Sequence, residues 1–217
     1  PYGRKILDTG GSSSGSGVST TSNLAAASLG SETSGSILSP SSANSLVGMK
    51  PTIGNVSRAG IVPISSTLDT AGPMTKFVID NILIYNAINE FDPLDDYSVE
   101  NYDIKIKEVV ENKLEEYTIG YYKSFYERDS LYKNAIDFLI EDGVKLQAID
   151  APQIRLEGFA KILDEDMRYD LRSYLFFYGN KNLKVEDISS IIKYNDMDSV
   201  ERAHYVQGIF NKIIQDT

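Results

Sequence analysis

Any chemistry in this chain has to come from hydroxyls, carboxylates, amines and backbone amides. Its 217 residues include no cysteine and one histidine, His204. Thiol nucleophiles, zinc–cysteine sites, iron–sulfur clusters and histidine-cluster metal sites are therefore excluded. What the chain does offer is serine set among glycine, in two loops. The first is Gly10-Gly-Ser12-Ser13-Ser14-Gly15-Ser16-Gly17 and the second is Gly30-Ser-Glu-Thr33-Ser34-Gly35-Ser36-Ile37. A serine hydroxyl attacks a carbonyl only when a base takes its proton and donors hold the developing oxyanion. A loop of small side chains lets several backbone N–H groups converge on one oxygen.

Other chemistries that these residues suggest lack an essential part. Gly10 to Gly15 has the glycine spacing of a phosphate-binding loop, but Ser16 stands where a lysine must reach the phosphates. Gly11-Ser-Ser-Ser-Gly15 has the letters of a nucleophile elbow centred on Ser13. It lacks a preceding strand, and only His204 could serve as its base. Ser130/Lys133 and Ser190/Lys193 match the spacing of a Ser–Lys pair, yet both sit on amphipathic helical segments where serine and lysine form the solvated face. Ser14, Ser16, Ser19, Ser22, Ser41 and Ser42 are expected to act as turn residues whose hydroxyls cap nearby backbone groups.

The two loops belong to a longer run of wording. After them come Pro40-Ser-Ser-Ala-Asn-Ser-Leu-Val-Gly-Met-Lys-Pro-Thr52, Val56-Ser-Arg-Ala-Gly-Ile-Val-Pro63 and Leu68-Asp-Thr-Ala-Gly-Pro-Met74. Together, almost unbroken from residue 10 to residue 75, these motifs resemble the amidase signature family, the Ser–cis-Ser–Lys amidohydrolases. The Ser-Glu-Thr-x-Gly-Ser-Ile and Ser-Pro-Ser-Ser-x-Asn wording looks most like the peptide-amidase branch. The resemblance implies hydrolysis of a carboxamide through an acyl-enzyme. Ser36 would be the nucleophile and Ser12 the cis-serine that relays its proton to a lysine. The N–H groups of Thr33, Ser34, Gly35 and Ser36 would form the oxyanion hole, with Ser13 and Gly11 in support. It implies no metal or organic cofactor. The substrate would be a small amide or a C-terminally amidated peptide.

The chain also departs from the family pattern. Ser14 and Ser34 replace glycines. Leu38 stands where many members, including the A subunit of the tRNA-dependent amidotransferase, carry arginine, which argues against that branch. Lys50, in Gly-x-Lys-Pro-Thr, matches a structural lysine of the family. The catalytic lysine falls several dozen residues before the cis-serine, in a segment these residues do not contain, and the family domain is about twice this length. The chain is thus expected to be the central part of an amidase, truncated at both ends and inactive alone. The alternatives are a degenerate amidase-fold binding protein and the amidotransferase A subunit. His204 has no role in the family mechanism, and Tyr205-Val-Gln-Gly208 is loosely similar to a family Tyr-Gly-Gln-like segment.

These residues need elements to position them. The head of the chain is nearly neutral and rich in serine and glycine, whereas all eight phenylalanines follow residue 75. The head reads as folded, not as a linker, because apolar residues follow the glycine loop at once. Val18–Ser28 is expected to be a small-residue helix, and Leu46–Pro51 and Gly60–Ile64 to be buried strands or tight connectors. Thr75–Asn89 has helical spacing after a Pro-Met-Thr entry, and Phe91–Tyr102 reads as a loop. Tyr117–Tyr122, Ser130–Glu141 and Val144–Ile149 read as strand, helix and strand, hence a βαβ unit. Leu156–Tyr178, Val185–Tyr194 and Val200–Gln215 read as further helices. The expected fold class from this order is α/β with a parallel or mixed sheet, and the resemblance to the amidase signature family implies an α/β/α sandwich around a mixed central sheet. Residues 1–90 would hold the signature core and 91–217 the remaining α/β portion.

The net charge of −10 argues against a chain that grips nucleic acid by itself. No apolar run approaches the ~20 residues of a membrane span. The opening Pro1-Tyr-Gly-Arg-Lys has no signal-peptide shape and no methionine, so the chain is expected to begin inside a longer product. A cytoplasmic location, no nucleic-acid partner and no membrane partner complete the expectations.

Overall fold

The computed structural model describes residues 7–204 and 206–215. Pro1–Ile6 and Tyr205 lie outside the described residues, and with them the expectations attached to the chain's first residues and to the Tyr205 segment. The chain divides into two compact units, one formed by residues up to Ile104 together with those from Gly158 onward, the other by Lys105–Glu157.

The larger unit begins with the serine-rich head, which is folded. α1 (Ser14–Thr21) leads into β1 (Ser28–Glu32), α2 (Leu38–Ala43), β2 (Val47–Gly48) and β3 (Thr70–Thr75). The sheet order is β1-β3-β2, antiparallel throughout, with Leu29 opposite Pro73 and Gly48 opposite Met74. Every residue of β3 is buried. A proline in a central strand is unusual because it cannot donate to the ladder. Here the Pro73 carbonyl accepts from Met49 N–H at 3.0 Å, and the ladder with β2 ends at Gly48. The missing donor therefore falls where that pairing stops.

This corrects the expected helix over Val18–Ser28. The helix starts four residues earlier and is over by Thr21. The small residues that follow turn the chain, and Ser28 already belongs to a strand. The Pro-Met-Thr entry is likewise strand, and α3 (Val78–Ile88) begins only after it. Asn81 of α3, fully buried, donates its amide to the carbonyls of Val47 and Pro73 at 2.9 and 3.1 Å, joining helix to sheet. Val56, Ala71 and Tyr85 form the buried cluster beside them. Residues 60–64 form no strand, and Val62 is 60% exposed. Phe91–Tyr102 is a loop as expected, ordered by side chains: Ser57 donates to Asp92 at 2.6 Å, and Asn101 donates to the carbonyls of Asn55 and Asn89.

The C-terminal part of the same unit is helical: α7 (Phe159–Tyr178), α8 (Ile188–Asp196), α9 (Ser199–Arg202) and α10 (Gly208–Gln215). Leu171, Ile188, Ile192 and Ile213 bring α7, α8 and α10 together. A capping box starts α8, with Asp187 accepting from Ser190 N–H and the Ser190 hydroxyl accepting from Asp187 N–H. The single helix expected over Val200–Gln215 is two, because the chain breaks after Arg202 and Val206 takes a left-handed φ of 63°.

The smaller unit contains α4 (Ile106–Glu111), β4 (Thr118–Tyr122), α5 (Lys123–Arg128), α6 (Ser130–Glu141) and β5 (Lys145–Ile149). β4 and β5 pair in parallel, as the strand–helix–strand pattern predicts, with α5 and α6 in the crossover. α6 has the expected bounds. Its N-terminal amides at Leu131 and Tyr132 are taken by the Asp129 carboxylate. The fold is α/β as expected, and its strands form one three-stranded antiparallel sheet and one two-stranded parallel sheet.

Candidate active site

The first serine loop leads into α1, and its shape begins at Gly10. The backbone there is left-handed (φ 68°), and a Cβ would lie 2.7 Å from the Pro40 nitrogen and the Ser39 carbonyl carbon. Only glycine meets both demands. The Gly11–Ser12 peptide bond is cis. Gly11 and Gly15 face open space, so their lack of a side chain is not imposed by packing within this chain. Ser13 clamps this loop to its neighbours. Its N–H donates to the Ser36 carbonyl at 3.1 Å. Its hydroxyl donates to the Ser31 carbonyl and accepts from Ser31 N–H, both at 3.2 Å. That clamp needs Gly30, where a Cβ would lie 2.8 Å from the Ser13 Oγ.

The second loop, residues 33–36, connects β1 to α2. Two buried carboxylates hold it. Glu32, 4% exposed, accepts from the N–H groups of Ile37 and Leu38 at 2.7 and 2.9 Å. A carboxylate before the loop thus takes the amides after it, folding the loop into a tight turn at the start of α2. At the other end, the Thr33 hydroxyl donates to Asp69 Oδ1 at 2.5 Å. Asp69 Oδ2 accepts from the N–H groups of Ile64 and Ser65 at 2.8 and 2.9 Å. Between these anchors, and among the described residues, the N–H groups of Thr33, Ser34, Gly35 and Ser36 donate to no carbonyl or side chain. Gly35 has φ 100° and open space where a Cβ would stand. Four consecutive unengaged amides in a turn that faces open space can receive an anionic oxygen. Neither the Ser12 nor the Ser36 hydroxyl has a partner among the described residues, and Ser36 is only half-buried.

The structure therefore brings Gly11, Ser12 and Ser13 against Thr33, Ser34, Gly35 and Ser36 through the Ser13–Ser36 hydrogen bond. Other residues with chemical potential are occupied elsewhere. Lys50 is exposed, and its ammonium donates to the Pro51 carbonyl. Lys133 pairs with Asp137 over the Tyr126 ring. The Ser190 hydroxyl is spent in the α8 capping box. His204 Nδ1 lies 2.9 Å from the Val200 carbonyl. Ser14, Ser16 and Ser19 lie on α1 and not in a turn, yet their hydroxyls donate to backbone carbonyls, whereas Ser41, on α2, is buried with a hydroxyl that has no partner among the described residues.

Sequence reasoning passed over the acids that hold the site. Glu32 and Asp69 lie inside the quoted motifs, but the groups they bind are four to six residues away and, for Thr33 with Asp69, 36 residues away. The supports continue outward. The Ser65 hydroxyl donates to Asp166 at 2.5 Å and Ser66 N–H to Asp170 at 2.6 Å, tying the 64–67 turn to α7. Arg58 makes a two-pronged ion pair with Asp95 at 2.9 and 2.7 Å, both side chains being nearly buried. Burial works against the charged form of Asp95. The Arg58 guanidinium and the N–H groups of Tyr97 and Arg58 outweigh it and hold the carboxyl at about 2. The hydrogen bond to Asp95 raises Arg58 above its ordinary value.

The decisive comparison is with protein families. The model of the Amidase family matches residues 1–198. This chain belongs to the amidase family. Among relatives of this amidase chain, a probable amidase of Arabidopsis thaliana is 57% identical over 86 residues, 40% of this chain and 17% of the plant protein. Among solved structures, native peptide amidase from Stenotrophomonas maltophilia superposes with a TM-score of 0.81 at 27% identity, over 95% of this chain and 44% of that one. The A subunit of the glutamyl-tRNA(Gln) amidotransferase from Thermotoga maritima superposes with a TM-score of 0.64 at 26% identity, over 95% of this chain and 45% of that one. The amidase chain thus spans less than half the length of each of these relatives. No helix among the described residues is long and apolar enough to cross a membrane.

Proposed function

We propose that the protein carrying this chain hydrolyses a carboxamide, with Ser36 as nucleophile. The observation that carries the reading is the pair of serine loops joined by the Ser13–Ser36 hydrogen bond. Among the described residues, they leave two serine hydroxyls and four consecutive N–H groups without partners. In the proposed reaction the Ser36 Oγ forms a bond to the amide carbon, and its proton passes through Ser12 to a lysine supplied from outside these 217 residues. The carbonyl oxygen becomes an oxyanion held by the N–H groups of Thr33 to Ser36. Such a donor contributes ~3–4 kcal/mol to the transition state. The C–N bond then breaks, the amine leaves with a proton, and water releases the acid from the acyl-enzyme. No step calls on a metal or organic cofactor.

Substrate and setting belong to the same proposal. A small amide or a C-terminally amidated peptide is favoured over a glutaminyl donor in tRNA amidation. Leu38, and the better superposition on a peptide amidase than on an amidotransferase subunit, support that choice. A cytoplasmic location is assigned with it and is checked by cell fractionation. The test of the chemistry is labelling of the full-length protein with a fluorophosphonate, followed by peptide mapping. The expected label is on Ser36, lost in Ser36→Ala. A folded protein that takes no label overturns the reading. The isolated 217-residue chain is expected to show no turnover, and amide hydrolysis by it that Ser36→Ala abolishes would overturn the need for the external lysine.

A further inference from the structure

The unit that holds the serine loops also contains a cavity of about 400 Å³. Its lining is one-sided in charge. Asp69, Asp95, Asp96 and Asp170 face it, with Arg58 as the cation. That cation is already committed: its guanidinium is paired with Asp95 and stacked 4.6 Å from the centre of the Tyr97 ring. Asp170 accepts from Ser66 N–H and, among the described residues, pairs with no cation. Burial pushes the Asp170 carboxyl up, and the neighbouring charges of Asp166 and Asp69 push in the same direction. A positive charge entering the cavity would relieve that strain on the ionised form.

The rest of the wall is aromatic and apolar. Tyr174 and Tyr178, one turn apart on α7, lie with ring centroids 5.2 Å apart, and Phe177 and Leu94 complete this side. Ring faces attract cations, most strongly where water is displaced. The Arg58–Tyr97 stack shows that contact already in use at the rim. The acids do not suit a point charge: among the described residues no three acidic or histidine side chains are placed to hold a metal ion. Carboxylates spread over an aromatic wall match a diffuse cation with hydrocarbon attached.

We propose that this cavity binds an organic ammonium ion carried on an apolar or aromatic body. The site does not depend on the chemistry assigned to Ser36. Its probe is 2-phenylethylammonium, titrated into the full-length protein beside the neutral 2-phenylethanol, and followed by backbone amide NMR shifts and calorimetry. The ammonium is expected to bind on the order of tenfold more tightly than the alcohol. The shifts should centre on Ser66, Asp170 and Tyr174. Asp170→Asn, whose amide oxygen can still accept from Ser66, should abolish the preference, and Phe177→Leu, at a position 72% exposed, should weaken binding without touching the fold. Ser36→Ala should change nothing. Equal affinity for ammonium and alcohol, shifts centred elsewhere, or an unchanged preference in a folded Asp170→Asn chain would overturn the proposal. A loss of binding in Ser36→Ala would overturn its independence from the serine loops.

Discussion

Glu32 shows how a single side chain prepares a site it does not enter. By accepting from Ile37 and Leu38, it decides which amides of the turn are used and which are left open. Removing the carboxylate frees two more N–H groups and loosens the four before them. Hydrogen bonds to a charged group contribute about 1.5–3 kcal/mol each. Glu32→Ala in the full-length protein is therefore expected to lower kcat on the order of a hundredfold with little change in KM. Glu32→Gln, which keeps an oxygen acceptor, should recover a large part of it. Steady-state kinetics on an amide substrate separate the two, and a change in KM alone would assign Glu32 to ground-state binding. Gly30 works at the same scale by having no side chain. In Gly30→Ala the new methyl would meet the Ser13 Oγ at 2.8 Å and the Ile37 side chain at 3.1 Å. Ser13 must then give up its bonds to Ser31. Overpacking of this kind costs about 1–3 kcal/mol, to be read as a lower urea midpoint with unchanged slope.

At the scale of elements, the Arg58–Asp95 pair fastens the 91–102 loop to the segment that precedes β3. Asp95 is held at about 2 when folded and titrates near 3.9 when unfolded. A folded value below the unfolded one means stability that is complete above about pH 4 and lost as pH falls toward 2. Asp95→Asn should therefore lower stability at pH 7, by about 3 kcal/mol for a broken buried pair. It should also flatten the loss of stability between pH 4 and 2. Urea unfolding at pH 7, 4 and 3 checks both, and a variant that loses stability with acid as steeply as the parent would rule out this pair as the cause. Elements set by local chemistry were legible in the sequence: α6 has an Asp129 cap, an amphipathic face and Gly143 at its end, and its bounds follow. β1 and β3 were not legible. Ser-Leu-Gly-Ser-Glu and Thr-Ala-Gly-Pro-Met-Thr carry no alternation and little β-propensity, and they are strands because tertiary burial makes them so. The serine loops were legible as wording, but the acids that hold them were not. Nothing local in the sequence says that Asp69 meets Thr33, 36 residues earlier.

At the scale of the whole molecule, the larger unit is discontinuous, built from residues before and after the Lys105–Glu157 unit. Its two parts are joined by contacts distant in sequence: Ser65 with Asp166, Ser66 with Asp170, and Thr67 N–H with Asp166. The stretch from Asp150 to Glu157 that leads back into it is exposed at every residue and forms no helix or strand. Proteases select such segments because local opening there disturbs few contacts. Arg155 lies in the middle of it. Limited trypsin digestion is expected to cut first after Arg155, with Lys181 and Lys212 cut later because each makes hydrogen bonds within the helical part. The two fragments should nonetheless elute together on gel filtration, since the Ser65–Asp166 and Ser66–Asp170 contacts lie away from the cut. The double variant Asp166→Ala/Asp170→Ala should let them separate after the same cut. Fragments of the parent chain that part under native conditions would show that these contacts do not join the two segments. A first cut within the helical part would show that the exposed stretch is protected.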